Sequence, residues 1–205
     1  MIGRVAIMVA CVLGAPLAAL ILLFGSGLAH NFYIPSEAMA PTLEKYDRLV
    51  SFMDGAASVR RGRIIVFAMD EATYVKRVAG LPGDRIALKD GIVILNGQPV
   101  GQRFLREEAR NDSSGPGRAR RLQEQFPDEP GPHEILDSGP LSVDEMAEIR
   151  IPPGFLFVLG DNRDHSADSR VPRDMAGVEL LPVADVRGHP LFFTWPRTKV
   201  GRLVD

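Results

Sequence analysis

Two glycine-containing turns constrain the fold of this chain more than any other sequence feature. Asp90-Gly91 and Asn96-Gly97 each separate two short runs of apolar, β-forming residues. Asp-Gly and Asn-Gly accept the positive φ angles that a two-residue hairpin turn requires. The pattern therefore predicts a small antiparallel meander over residues 85–100.

Short β-type runs recur along the rest of the chain. Residues 63–67, 74–78 and 155–159 form apolar or alternating runs, and residues 191–195 form the last one. Such runs are typical of buried or half-buried strands. Apart from an apolar segment at the N-terminus, we find no long helical periodicity and no internal repeat. We therefore expect a mainly β fold built from antiparallel strands.

The N-terminal segment is apolar enough to span a bilayer. Residues 5–29 contain no charged side chain, and a bilayer core needs about 20 apolar residues of helix. A cleaved signal peptide is the alternative, with residues 27–29 as its cleavage site, but its apolar core would be only about 7–15 residues long. We expect a retained transmembrane helix. Arg4 favours an N-terminus on the inside and the remainder of the chain outside.

Composition shifts suggest how the 205 residues are divided. We expect a membrane anchor over residues 1–29 and one β domain made of residues 30–101 and 151–205. Glycine, proline and charged residues crowd residues 102–150, which predicts an inserted variable subdomain or a long solvated excursion.

Several function classes are excluded by composition. A net charge of −2 does not favour nucleic acid as a partner. The single cysteine, Cys11, excludes an internal disulfide. The four histidines are scattered singly, so we expect no metal site, and nothing suggests a cofactor.

Three segments stand out, although each has an ordinary interpretation by itself. Residues 34–43 (IPSEAMAPTL) could be a proline-stiffened linker. Residues 74–84 (YVKRVAGLPGD) place Lys76 in an apolar strand, where it could simply extend from a strand edge to solvent. Residues 160–170 (GDNRDHSADSR) could form a hydrogen-bonded turn network or, less readily, a calcium loop.

Taken together and in this order, the three segments resemble the bacterial type I signal peptidases. The resemblance covers nearly the whole chain. It implies a membrane-bound Ser/Lys endopeptidase that removes signal peptides from exported preproteins. It also implies signal peptides and the lipid bilayer as partners, no cofactor, and a catalytic domain on the outer face of the bacterial cytoplasmic membrane. A histidine-free Ser/Lys pair is a known variant of the catalytic triad.

The resemblance assigns roles residue by residue. Position 38, which precedes Met39, is the nucleophile in the family but is alanine here, and Lys76 is the general base. Ser36 would help to bind the oxyanion, and Ser166 would orient the lysine. The supporting residues are Tyr74 beside the lysine, the pair Asp168 and Arg170, and Met39.

Alanine has no nucleophilic oxygen, so we expect this chain to be inactive as written. Two interpretations of Ala38 are open: an engineered replacement of serine, and a natural pseudoenzyme that binds signal peptides without cleaving them. The retained Lys76 and Ser166 favour the engineered replacement. A conjugation-type peptidase with one dedicated substrate is an alternative within the family.

Overall fold

The computed structural model describes residue 22, residues 24–112 and residues 115–204. Within these ranges the strands pair in antiparallel ladders, which confirms the mainly antiparallel β fold. The strands are β1 (Ala29–Tyr33), β2 (Arg48–Phe52), β3 (Ile64–Met69), β4 (Ala72–Gly80), β5 (Arg85–Lys89), β6 (Ile92–Leu95), β7 (Gln98–Pro99), β8 (Gln102–Asp112), β9 (Gly115–Glu124), β10 (His133–Asp137), β11 (Met146–Arg150), β12 (Phe155–Leu159), β13 (Leu181–Pro182) and β14 (Val186–Trp195). Short 3-10 helices span Gly55–Ser58, Ser142–Asp144, Arg163–His165, Arg173–Met175 and Val183–Asp185.

The predicted meander is formed by β5, β6 and β7. The φ angles are 51° at Asp90 and 74° at Gly91 in the first turn, and 52° at Asn96 and 81° at Gly97 in the second. Because both central residues of each turn have positive φ, the turns match the twist of the strands that they join. β5 consequently pairs with β6, and β6 with β7.

The largest sheet is assembled from distant parts of the chain. Its strand order is β1-β2-β14-β3-β4-β12-β13. The strands predicted at residues 63–67, 74–78, 155–159 and 191–195 are confirmed as parts of β3, β4, β12 and β14. The pairing of β4 with β12 is important for the site, because it brings the strand of Lys76 beside the strand that leads into the polar loop 160–170.

Strand β12 lies between two apolar cores. Leu156 and Val158 belong to one cluster of buried side chains, and Phe157 and Leu159 belong to another. Successive side chains of a strand point to opposite faces, so the near-continuous apolar run of β12 supplies both cores at once.

Residues 102–150 contain more regular structure than the sequence indicated. β8, β9 and β10 form a three-stranded sheet in the order β10-β9-β8, which we call the inserted sheet. Pairs of opposite charge lie across its strands, for example Arg121 between Glu108 at 3.1 Å and Glu134 at 2.5 Å. β11, in contrast, pairs with β5 of the meander. Whether residues 102–150 act as one subdomain stays a prediction.

Residues 1–21 and 23 of the predicted anchor lie outside the described residues. Among those residues, no helix is long and apolar enough to cross a membrane. One boundary needs correction: Ala29 was expected to end the anchor, but it begins β1, where it pairs with Phe52. The ladder with β2 requires extended backbone at this position.

The two-core arrangement of β12 predicts a large loss of stability on truncation of Leu156. Leu156 is fully buried, whereas Leu203 is 70% exposed. Leu156→Ala should lower the free energy of unfolding by about 2–5 kcal/mol, and Leu203→Ala should change it by less than about 0.5 kcal/mol. Urea denaturation of both variants measures this difference. Equal losses would contradict the placement of β12.

Candidate active site

Lys76 is buried on an apolar face of strand β4. It pairs with Ile65 of β3, and only 4% of it is exposed. Tyr74 and Val78 share its face, because strand side chains alternate. Tyr74 is half-buried and stacks on Phe67 with 5.6 Å between ring centroids. A cluster of buried apolar side chains therefore supplies the apolar surroundings predicted for Lys76.

Burial changes the acidity of this lysine. Desolvation lowers the pKa of Lys76 from 10.5 to about 8. Attraction by Asp168 and Asp161 opposes this shift, whereas repulsion by Arg170 adds to it. A lysine with a pKa near 8 is partly neutral in mildly alkaline solution, so it can accept a proton from a neighbouring hydroxyl.

Gly160 brings the segment of Ala38 against the loop of Ser166. A Cβ at position 160 would lie 2.2 Å from Ser166 Oγ and 2.5 Å from the Ala38 carbonyl oxygen, so only glycine permits this approach. The same carbonyl accepts the backbone N–H of Asn162 at 3.2 Å. The side-chain amide of Asn162 donates to the carbonyl of Glu37, also at 3.2 Å. Two segments distant in sequence thus contact each other here.

The hydroxyl of Ser166 has unused hydrogen-bonding capacity. Its Oγ is buried and has no hydrogen-bond partner among the described residues, so the expected bond with Lys76 is not formed in this structure. A buried hydroxyl without a partner is unfavourable by about 1–3 kcal/mol. Such an atom is typical of a functional site, where a reacting group completes the hydrogen bonding.

Asp168 and Arg170 form the pair expected from the resemblance. Arg170 Nε donates to Asp168 Oδ1 and Nη2 donates to Oδ2, both at 2.9 Å, and the N–H of Gly160 donates to Oδ2 at 3.0 Å. Burial would raise the pKa of Asp168, but the Arg170 guanidinium and these hydrogen bonds outweigh it and lower the pKa. The carboxylate is therefore occupied in holding the loop.

No three His, Cys, Asp or Glu side chains of the described residues are grouped to hold a metal ion.

The first segment is fixed by its apolar side chains. Met39 is 3% exposed and packs in a cluster with Leu43 and Phe193. Ala38 is 9% exposed, and Ser36 is exposed. The segment thus leaves Ser36 open to solvent and anchors position 38 through the residue that follows it. The oxyanion role of Ser36 stays a prediction.

Sequence reasoning missed an ion pair that joins all three segments. Arg77 Nε and Nη2 donate to the two carboxylate oxygens of Asp161 at 2.8 and 2.7 Å. Thr42 Oγ1 donates to Asp161 Oδ2 at 2.5 Å. Burial alone would raise the pKa of Asp161, but Arg77 holds it below its ordinary value. Each of the three residues lies in a different motif segment. Two sequence signals could have indicated the ion pair: Arg77 is a charged residue within an apolar strand, and Asp161 is an acidic residue shortly after a buried strand.

The lowered pKa of Lys76 predicts that this side chain destabilises the folded protein at neutral pH. The folded-state pKa of about 8 lies below the ordinary 10.5, so the penalty is complete below pH 8 and disappears as the pH rises past 10.5. Lys76→Met should therefore raise the free energy of unfolding by up to about 3 kcal/mol at pH 7, with a smaller gain at pH 10. Urea denaturation at both pH values measures this. The exposed Lys89→Met is the matched control, and a gain that grows with pH would contradict the burial argument.

Comparison with known proteins identifies the family of this chain. Residues 5–195 match the family described as signal peptidase, peptidase S26. The chain is 37% identical to signal peptidase I of Bacillus caldolyticus over 68% of each protein. It is 33% identical to the probable signal peptidase I-1 of Synechocystis sp., over 86% of this chain and 76% of that protein. A crystal structure of a signal peptidase I from Enterococcus faecalis aligns with a TM-score of 0.36 at 24% identity, covering 64% of this chain and 95% of that one. On the family match and the sequence relatives, the chain belongs to the signal peptidase family, peptidase S26.

Proposed function

We propose that this chain is a membrane-bound signal peptidase whose Ser/Lys dyad lacks its serine. With serine at position 38 it would remove N-terminal signal peptides from exported preproteins. The observation that carries the proposal is the burial of Lys76, which lowers its pKa to about 8. The names of the relatives support the same substrate class.

The proposed reaction begins with a serine hydroxyl at position 38. Neutral Lys76 takes the hydroxyl proton as the oxygen attacks the scissile carbonyl carbon. The backbone N–H of residue 38 and the Ser36 hydroxyl donate to the resulting oxyanion, a type of stabilisation worth about 10²–10³ in rate for each donor. As the C–N bond breaks, the Lys76 ammonium returns the proton to the leaving amine. Water then hydrolyses the acyl-enzyme, again with Lys76 as the base.

Ser166 is proposed to orient the lysine during these proton transfers. Its Oγ is buried and without a partner among the described residues, so it could accept a hydrogen bond from the ammonium when that forms. Asp168 and Arg170 would hold the loop of Ser166 in shape, and Tyr74 would help to keep water from the lysine.

Ala38 removes only the nucleophilic oxygen from this scheme. The backbone N–H at position 38 is retained, and so is the contact of its carbonyl with Asn162. A lysine buried at a stability penalty has no purpose in a protein that never cleaves. This supports an engineered replacement of serine.

The membrane location follows from the proposed anchor. The apolar segment that precedes β1 would hold the chain in the bacterial cytoplasmic membrane as a single span, with the β domain on the outer face. Preproteins are held at the same membrane by the apolar core of their signal peptides. Confining both partners to one surface raises their effective concentration.

A second candidate function is signal-peptide binding without cleavage. Ala38 itself favours it, because the chain as written offers no serine at the nucleophile position. The two functions differ in one outcome: a natural pseudoenzyme would have no reason to gain activity on restoration of the serine.

Restoring the serine should restore cleavage. Ala38→Ser is expected to cut a preprotein after a small-x-small site in detergent, whereas the chain as written should be inert. Adding Lys76→Ala should lower the rate of the Ala38→Ser protein by about 10²–10⁴-fold, because the general base is lost. Adding Lys89→Ala, at an exposed strand lysine, is the matched control. If Ala38→Ser binds the preprotein but stays inert, the binding function is the better account.

The pH dependence tests the role of Lys76 independently. Only the neutral amine can act as the base, so kcat/KM of Ala38→Ser should rise with pH and reach half its plateau near the lysine pKa of about 8. Initial rates between pH 6 and pH 10 measure the profile. A rate that is flat across this range, or that falls with pH, would exclude Lys76 as the base.

A further inference from the structure

A second group of charged side chains connects the inserted sheet with the candidate site. We call it the buried charge cluster. None of its side chains is more than 5% exposed. Its members are Arg77, Glu124, Glu129, His133, Asp161 and Arg163.

His133 is held between two carboxylates of this cluster. Its Nδ1 lies 2.9 and 3.1 Å from the two oxygens of Glu129. Its Nε2 lies 3.3 Å from Oε1 of Glu124, an ion-pair contact that lacks the geometry of a hydrogen bond. The ring stacks on Phe126 with 5.3 Å between centroids. A neutral imidazole carries a single N–H, so its other nitrogen would direct a lone pair at a carboxylate. An imidazolium donates to Glu129 through Nδ1 and places positive charge beside Glu124.

The same two carboxylates bind arginines of the motif segments. Arg163 contacts both oxygens of Glu124, one of them through Nη1 at 3.3 Å. Arg77 Nη1 lies 3.6 Å from Oε1 of Glu129. Glu124 ends β9 and His133 begins β10, so both belong to the inserted sheet, whereas Arg77 lies in β4 and Arg163 in the 3-10 helix after β12.

The formal charges of this cluster favour a charged histidine. The cluster contains three carboxylates, Glu124, Glu129 and Asp161, and two guanidinium groups. A neutral ring would leave one buried negative charge uncompensated, which is unfavourable by several kcal/mol. An imidazolium makes the cluster neutral.

We propose that His133 is a positioning residue of the site, held as an imidazolium, that ties the inserted sheet to the segments carrying Lys76 and Ser166. The inserted sheet is then part of the scaffold of the site. For its effect on cleavage, this inference rests on the proposed function; its effect on Lys76 does not.

Two short paths connect the histidine to the site. Through Glu129 it reaches Arg77, the residue that follows Lys76 in β4. Through Glu124 it reaches Arg163, whose Nε donates to the carbonyl of Gly160 at 3.2 Å. Gly160 is the residue against which Ser166 packs. Loss of the imidazolium leaves Glu124 and Glu129 in mutual repulsion and shifts the arginines that they bind.

The electrostatic surroundings determine the sign of the pH effect. Burial and the repulsion by Arg77 disfavour the charged ring and lower the pKa of His133. Glu124, Glu129 and Asp161 favour the charged ring. Their effect is larger, so the pKa of His133 is raised above 6.5. Arg163 also faces the cluster. Because the folded-state pKa is raised, the stabilisation is fully present below pH 6.5 and is lost as the pH rises through the raised value.

The first test is a titration of the intact chain in detergent by NMR. The chain has four histidines, and the His133 ring should remain protonated above pH 6.5, the ordinary pKa of a histidine. With lysine labelled at Cε, the pKa of Lys76 should rise by about one unit in His133→Gln, because the loosened segments admit water. His30→Gln is the matched control and should leave Lys76 unchanged.

A charge-balanced variant separates positioning from folding. His133→Gln leaves three carboxylates against two guanidinium groups, whereas His133→Gln combined with Glu129→Gln leaves two against two. The double variant should recover much of the stability that His133→Gln loses at pH 6, and should bring the Lys76 pKa back towards 8. In the Ala38→Ser background, His133→Gln should lower kcat about tenfold with little change in KM.

Several outcomes would overturn the inference. The first is a His133 ring that titrates at or below pH 6.5. The second is a Lys76 pKa that is unchanged in His133→Gln, and the third is a double variant no more stable than the single one. An inert Ala38→Ser protein in which His133→Gln still shifts the Lys76 pKa would refute the proposed function and leave the positioning role standing.

Discussion

Strand β4 buries two adjacent cations, and the site depends on how differently their charges are compensated. Arg77 meets both oxygens of Asp161 at 2.7 and 2.8 Å. Lys76, on the opposite face, lies in an apolar cluster, and burial lowers its pKa to about 8. Side chains alternate along a strand, so the two cations lie on opposite faces of β4. Arg77 stays permanently charged and connects segments of the structure, whereas Lys76 is the candidate base.

The charged contacts around Arg77 are better explained by positioning than by stability. A buried ion pair is often no more stabilising than apolar residues of the same volume, and the two cores that share β12 already supply apolar burial. What Asp161 adds is direction: it binds Thr42 and Arg77 at the same carboxylate. Segments far apart in the chain are thereby held in one arrangement.

Ala38 fits this arrangement without disturbing it. Its neighbour Met39 is fixed in an apolar cluster, and its carbonyl is bound by Asn162. Neither contact involves the side chain of residue 38. These contacts are therefore independent of the side chain at position 38, the position that the proposed reaction assigns to the nucleophile.

The sequence by itself determined the local features. Asp90-Gly91 and Asn96-Gly97 specify hairpin turns through backbone preferences alone, and the apolar runs of β3, β4 and β12 indicate buried strands. The three motif segments pointed to Lys76 and to the pair of Asp168 with Arg170. The turns and strands are confirmed, because each depends on residues that are close together in the chain, whereas the role of Lys76 stays a prediction.

Only the tertiary structure decided which distant groups share one environment. Glu124 and His133 lie in a stretch rich in charge, glycine and proline, so they resemble solvent-exposed residues in sequence. Arg163, from the 3-10 helix that follows β12, contacts Glu124. Arg77 of β4 contacts Glu129, the carboxylate that binds His133. Strand order and charge compensation depend on such pairings across long sequence separations, and no local preference encodes them.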